Sequence, residues 1–154
     1  MTIPSWLIIG GVTLLIGLAG NIIRPKDIRW FRRLERPRWL TIEPLIPIIW
    51  IVVFICGAWS AYIVWNQQPG APYTWLLMGL YIALEIVTIA YTPAIFWTHR
   101  LRIGTILGGT GFVLGLILAA LVSSISLWAT LLLVPYLLWS PVGTLATWQM
   151  EKIN

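Results

Sequence analysis

Apolar residues in this chain come in long unbroken runs, and polar residues fall between the runs rather than alternating within them. The runs cover 3–23, 44–65, 73–98, 103–123 and 127–148. Each is near the roughly 20 residues that an α-helix needs to cross a bilayer. Continuous apolarity argues for helices over barrel strands, whose lipid-facing and lumen-facing positions alternate, and a helix also satisfies its own backbone inside lipid. The pattern predicts an all-α integral membrane bundle of five transmembrane helices, a single domain over 1–154 with one long link at 24–43. No stretch is left over for a soluble catalytic domain.

Composition supports this picture. Hydrophobic residues make up 59% of the chain, charged residues only 10%, and mean hydropathy is +0.88, too apolar for a domain with a water-facing surface. The first run lacks a preceding Lys or Arg and a following A-x-A-like site, so it is read as a retained span rather than a signal peptide. Cys56 is the only cysteine and lies inside the second run, where a small buried hydrophobe is expected.

Charge fixes an expected orientation. Arg24, Lys26, Arg29, Arg32, Arg33, Arg36 and Arg38 follow the first run, Arg100 and Arg102 follow the third, and Lys152 lies in the tail. These are all ten basic residues, and five spans put them on one side. The positive-inside rule then predicts an outside N-terminus with the first loop and C-terminus in the cytoplasm; a bacterial cell membrane is the expected setting, which charge placement does not itself decide. The net charge of +5 needs no nucleic acid. Anionic headgroups or an acidic ligand group are the expected partners of that face.

Small residues recur at three- and four-residue steps. Gly104, Gly108, Gly111, Gly115 and Ala119 mark the fourth span, and Gly10, Thr13, Gly17 and Gly20 the first. Both stripes are expected to let backbones approach closely. A weaker stripe of Gly79, Ala83 and Val87 in the third span would serve inside the bundle or between the protomers of a homodimer.

The eleven tryptophans divide by position. Trp6, Trp65, Trp75, Trp97, Trp128 and Trp148 lie near span ends, where indole rings favour the headgroup level. Trp50, Trp59 and Trp139 lie deeper, and Trp30 and Trp39 sit in the basic loop. At about 100° per residue, Pro47, Trp50, Phe54 and Ala61 share a face of the second span, with Trp59 opposite; Trp128, Pro135, Trp139 and Gly143 align on the fifth. Proline bends a helix and frees a carbonyl, and glycine leaves space. Two such faces either pack as an ordinary aromatic core or open a cavity suited to a planar ligand.

Longer motifs separate these alternatives. The run from Trp30 through Leu34, Arg36, Pro37 and Trp39, followed by Pro47 and Trp50, resembles the W-x-x-L-x-(K/R)-P-x-W … P-x-x-W pattern of the translocator protein or tryptophan-rich sensory protein family, TspO/MBR. Pro135-Tyr136-Leu137-Leu138-Trp139 is similar to that family's P-Y-L-x-W, and Thr92-Pro93, Phe96 and His99-Arg100 to the end of its third helix. The resemblance implies a five-helix, commonly homodimeric membrane protein that binds porphyrins, related tetrapyrroles or sterols in a pocket opening toward the first loop. It places Trp30, Trp39, Trp50, Phe54, Tyr136 and Trp139 on or over that pocket, with Thr88, Tyr91 and Gly143 beside them. Arg32, Arg36 and Arg38 are the expected rim cations for a ligand with carboxylate edges.

Several positions depart from the pattern. Thr88 and Tyr91 stand where an asparagine and a tryptophan are usual, Thr147 replaces a second asparagine, and Phe54 a tyrosine. A ligand dependent on those hydrogen bonds would bind differently. The cholesterol-recognition spacing is missing, since no Lys or Arg follows Tyr136 until Lys152.

Two lone residues complete the inventory. Glu85 is the one acid well inside a span, so it is either a functional carboxyl or a hydrogen-bonded packing group. His99, the only histidine, could ligate haem iron but more simply snorkels beside Arg100 at a span end. With no zinc or di-iron spacing, no Ser-His-Asp set and no phosphate loop, the expectation is a non-catalytic receptor or carrier needing no cofactor, with porphyrin or haem as candidate ligand. Light-dependent porphyrin breakdown and a membrane scaffold or sterol-lipid binding protein are the alternatives.

Overall fold

The computed structural model describes residues 2–154. Its helices are α1 (Ser5–Ala19), α2 (Pro25–Arg32), α3 (Ile46–Gln67), α4 (Pro72–Thr98), α5 (Leu101–Ser123) and α6 (Leu127–Ile153), with a 3₁₀ turn at Glu43–Leu45 leading into α3. The described residues contain no strand. α3 through α6 are each long and apolar enough to cross a membrane, and α1 is a shorter apolar helix. The fold is thus a helical membrane bundle. α1 has 15 residues, a rise of about 22 Å against roughly 30 Å of hydrocarbon. It ends earlier than the apolar run because the chain turns at Gly20 and Asn21.

The long first loop is more structured than hydropathy predicts. α2 starts on a proline at its first position, carries Asp27 in its first turn and Arg29 and Arg32 in its last, all favourable to a short helix. Apolar periodicity over eight residues is too brief to announce it.

The bundle is solid at one end and hollow at the other. Away from the first loop, Val64, Leu77, Leu118, Val122, Ala129 and Leu133 form a dry core joining α3, α4, α5 and α6. Ser60, fully buried there, donates to the Ala129 carbonyl at 2.6 Å and shares a 2.6 Å hydrogen bond with the Tyr81 hydroxyl. Near the loop, a second cluster of Ile95, Leu101 and Met150 packs under Trp30, Phe31 and Leu34. Between the two lies a chamber.

The α5 glycines close the bundle around it. A Cβ on Gly115 would stand 2.8 Å from Tyr136 Cε1, one on Gly104 would run into Ile95, and one on Gly108 would meet Thr144. The α5 stripe therefore carries close packing, as expected. The α1 stripe does not: a Cβ on Gly10 or Gly17 would meet nothing within 4 Å, and only Gly20 is tight, 2.9 Å from Ile89. Identical spacing has different consequences because α5 is enclosed by α4 and α6, whereas α1 buries none of its residues. On α4, Gly79 is exposed but Val87 faces the chamber and Gly111, so the three stripe residues do not form one outer face.

The belt tryptophans behave as their positions predict. Trp6, Trp75, Trp97, Trp128 and Trp148 are exposed, Trp59 likewise faces outward, and Trp65 meets Trp75 edge-on at 4.9 Å.

Candidate functional site

The chamber encloses about 490 Å³, within the range of sites that engulf small organic molecules. α3 supplies Pro47, Trp50 and Phe54, with the two rings 6.0 Å apart. α6 supplies Tyr136, Trp139 and Gly143, and α4 supplies Val87, Thr88, Tyr91, Thr92 and Phe96. Gly17 of α1 and Gly20 and Asn21 of the turn after it close one side, and Phe31, Leu40 and Glu43 form the loop side.

Prolines mark α4 and α6 at this level. Pro93 in α4 and Pro135 and Pro141 in α6 cannot donate, so the carbonyls of Ile89, Leu131 and Leu137 lose their helical partners, a change that favours bending and looser packing. Gly143 faces open space, adding room beside Trp139.

Polar groups in the walls are mostly hydroxyls, and three of the seven are firmly engaged. Tyr91 and Thr147 hydroxyls bond to each other across α4 and α6, and Thr147 also donates to the Gly143 carbonyl at 3.2 Å. Thr144 donates to the Ser140 carbonyl at 2.8 Å. Thr88 and Tyr136 approach at 3.5 Å, longer than a firm O–H···O bond. No histidine or cysteine lines the chamber.

The structure brings together Trp50, Phe54, Thr88, Tyr91, Tyr136, Trp139 and Gly143 around this space. Trp30 and Trp39 are elsewhere. Trp30 stacks on His99 with centroids 4.5 Å apart, and Trp39 is exposed, donating its indole N–H to Gln149 Oε1 at 2.5 Å. None of the three candidate rim arginines lines the chamber either. Arg32 and Arg38 are exposed, while Arg36 donates to the carbonyls of Phe31 and Leu34, lies over the Phe31 ring at 4.9 Å and pairs with Glu43 at 3.4 Å. Arg36 thus folds the loop around a wall residue and holds the acid at the mouth.

Asp27, unmarked by any sequence motif, is the pivot of the loop. Its side chain has no exposed surface, accepts from Arg24 Nε at 2.7 Å, and bonds His99 Nε2 at 2.9 Å. Burial pushes its carboxyl upward, but the bonds and charges of Arg24 and His99 outweigh that and hold it below the usual carboxylate range. His99, in a left-handed conformation (φ 53°) at the end of α4, is held between this acid and the Trp30 ring. At the other edge, the Glu35 backbone N–H donates to Asn154 Oδ1 at 2.8 Å, and Asn154 Nδ2 returns a 3.1 Å bond to the Glu35 carbonyl. The loop is pinned to the ends of α4 and α6, roofing the chamber. The only hint in sequence is that Asp27 is one of just two acids amid seven basic residues.

Comparison with known proteins agrees with this architecture. The TspO/MBR family model matches residues 9–153. The chain is 28% identical over 153 residues to the tryptophan-rich protein TspO of Bacillus cereus, covering 97% of each. It is 25% identical to the translocator protein of Bos taurus, covering 98% of this chain and 92% of that one. Protein CrtK of Rhodobacter capsulatus is 24% identical over 90% of this chain and 85% of its own length.

Proposed function

The chain belongs to the TspO/MBR family, and from that premise we propose that it is a membrane receptor or carrier whose chamber takes a planar, mainly apolar ligand, a porphyrin or related tetrapyrrole. One observation carries the reading: indole, phenyl and phenol rings from α3 and α6 wall a space of about 490 Å³ just below the loop. Rings of this kind reward stacking on a flat molecule. The carboxylate edges would stay at the mouth, where Arg32 and Arg38 adjoin the wall residues Phe31 and Leu40. Binding is favoured over catalysis because the hydroxyls of Tyr91, Thr144 and Thr147 are spent on one another and on backbone carbonyls.

The same proposal includes five crossings. α1 completes its span with the apolar residues flanking it, leaving the N-terminus outside and the loop and C-terminus in the cytoplasm of a bacterial cell. Homodimers would form across the exposed side of α4 around Gly79 and Ala83.

Protoporphyrin IX titrated into the purified protein should quench tryptophan fluorescence. Removing each indole face in Trp50→Ala and Trp139→Ala loses about 2 kcal/mol of burial and stacking, roughly 30-fold in affinity per ring. Wild-type affinity in the folded double variant would sink the proposal.

A further inference from the structure

Beneath the chamber, on its side toward the solid core, is an annex of about 30 Å³ lined by Val53, Gly57, Tyr81, Glu85, Thr88 and Tyr136, among others. Phe54, Thr88 and Tyr136 border both spaces. The partition is thin, and its one polar contact is the 3.5 Å approach of Thr88 to Tyr136. Glu85 and Thr88 are three residues apart on α4, about 4.5 Å along the helix axis, and both border the annex.

Glu85 has little company there. Thr13 of α1 donates to Oε1 at 2.6 Å, and among the described residues Oε2 has no hydrogen-bond partner. The ion pairs among the described residues, Arg24–Asp27, Arg36–Glu43 and His99–Asp27, all involve the first loop, none with Glu85. An acid inside a membrane span is costly, and a partner of opposite charge in the same low dielectric is what offsets it. The annex has room for a group of water or ammonium size.

We propose that Glu85 is a cation-accepting subsite of the chamber, so that the protein also takes flat aromatic amines whose ring stacks between Trp50 and Trp139 while the protonated nitrogen passes Thr88 to the carboxyl. This rests on the chamber being a ligand site and adds a second ligand class.

The test uses the whole protein in lipid nanodiscs and calorimetry with two isosteres, 2-(2-naphthyl)ethylamine and 2-propylnaphthalene, after subtraction of empty discs. The wild type should bind the amine at least tenfold tighter. In Glu85→Gln, which retains size and an acceptor for Thr13, the ratio should fall below threefold with hydrocarbon affinity unchanged. Glu85→Asp, keeping charge with a shorter reach, should give an intermediate ratio. Equal binding of the pair by the wild type, or an undiminished ratio in Glu85→Gln, overturns the subsite. Protoporphyrin quenching is read on the same samples: quenching without amine preference refutes the subsite alone, and amine preference without quenching refutes the tetrapyrrole reading alone.

Discussion

Replacing Gly115 with alanine puts one carbon where the α5–α6 contact has no space for it. The new Cβ would lie 2.8 Å from Tyr136 Cε1, 3.0 Å from Cδ1 and 3.2 Å from Leu137 Cδ2. Carbon pairs rest at about 3.5–4.0 Å, so roughly 0.7 Å must be found by moving a buried ring or a helix. Overpacking of this kind costs about 1–3 kcal/mol, and alanine's better helix propensity returns up to about 1 kcal/mol. The net expectation is about 1–2 kcal/mol of destabilisation, a fall of roughly 3–6 °C in Tm for a chain of this size. Gly109→Ala, six residues earlier on the same helix, and Gly10→Ala on α1 are the controls. Neither Cβ meets an atom within 4 Å, so both variants should match the wild type or gain slightly. Thermal unfolding in detergent, followed by tryptophan fluorescence, ranks the three. Should Gly10→Ala or Gly109→Ala lose as much as Gly115→Ala, the assignment of close packing to α5 against α6 would be wrong.

Three further outcomes are expected. Asp27→Asn removes the charge that joins Arg24 to His99, so the loop's arginines should be cut faster by trypsin; unchanged cleavage would deny Asp27 its pinning role. Because the folded-state pKa of Asp27 lies below its ordinary 3.8, its stabilisation of the loop is complete above that value and fades as pH falls through the lower folded value, which near-UV circular dichroism of the Trp30–His99 stack should follow. Ser60→Ala strands the Tyr81 hydroxyl in the solid core and takes from the Ala129 carbonyl its second donor, and should cost about 1–3 kcal/mol in the same unfolding assay. Illuminating the protoporphyrin complex should give no new absorbing product; a product would move the reading to catalysis.

Hydropathy and helical periodicity carried the fold further than the site. The four long spans lie close to their expected limits because twenty apolar residues leave a chain few alternatives, and the outward placement of Trp59 follows from rotation about the helix axis alone. Trp50, Phe54, Trp139 and Gly143 meet across the chamber because each sits on a face that prolines and glycines had already marked. What escaped was every feature decided by contacts between distant segments. Trp30 belongs to a motif and sits in a basic loop, yet its ring is claimed by His99, 69 positions away in sequence, through an aspartate no motif singles out. The rim arginines show the same limit: seven basic residues in one loop set its side of the membrane, but only the fold reveals that Arg36 spends its donors on the loop's own carbonyls. The two glycine stripes make the point most sharply. Their spacing is equivalent and each helix has two main neighbours, so only how closely those neighbours pack separates a seam on α5 from an open face on α1. That difference has a functional reach, because the lightly held α1 contributes Gly17 to the chamber wall and Thr13 to Glu85, and the turn after it contributes Gly20 and Asn21. The side of the chamber with least packing behind it is therefore the side that touches both the stacking walls and the intramembrane acid, and it is where local opening is expected to cost least.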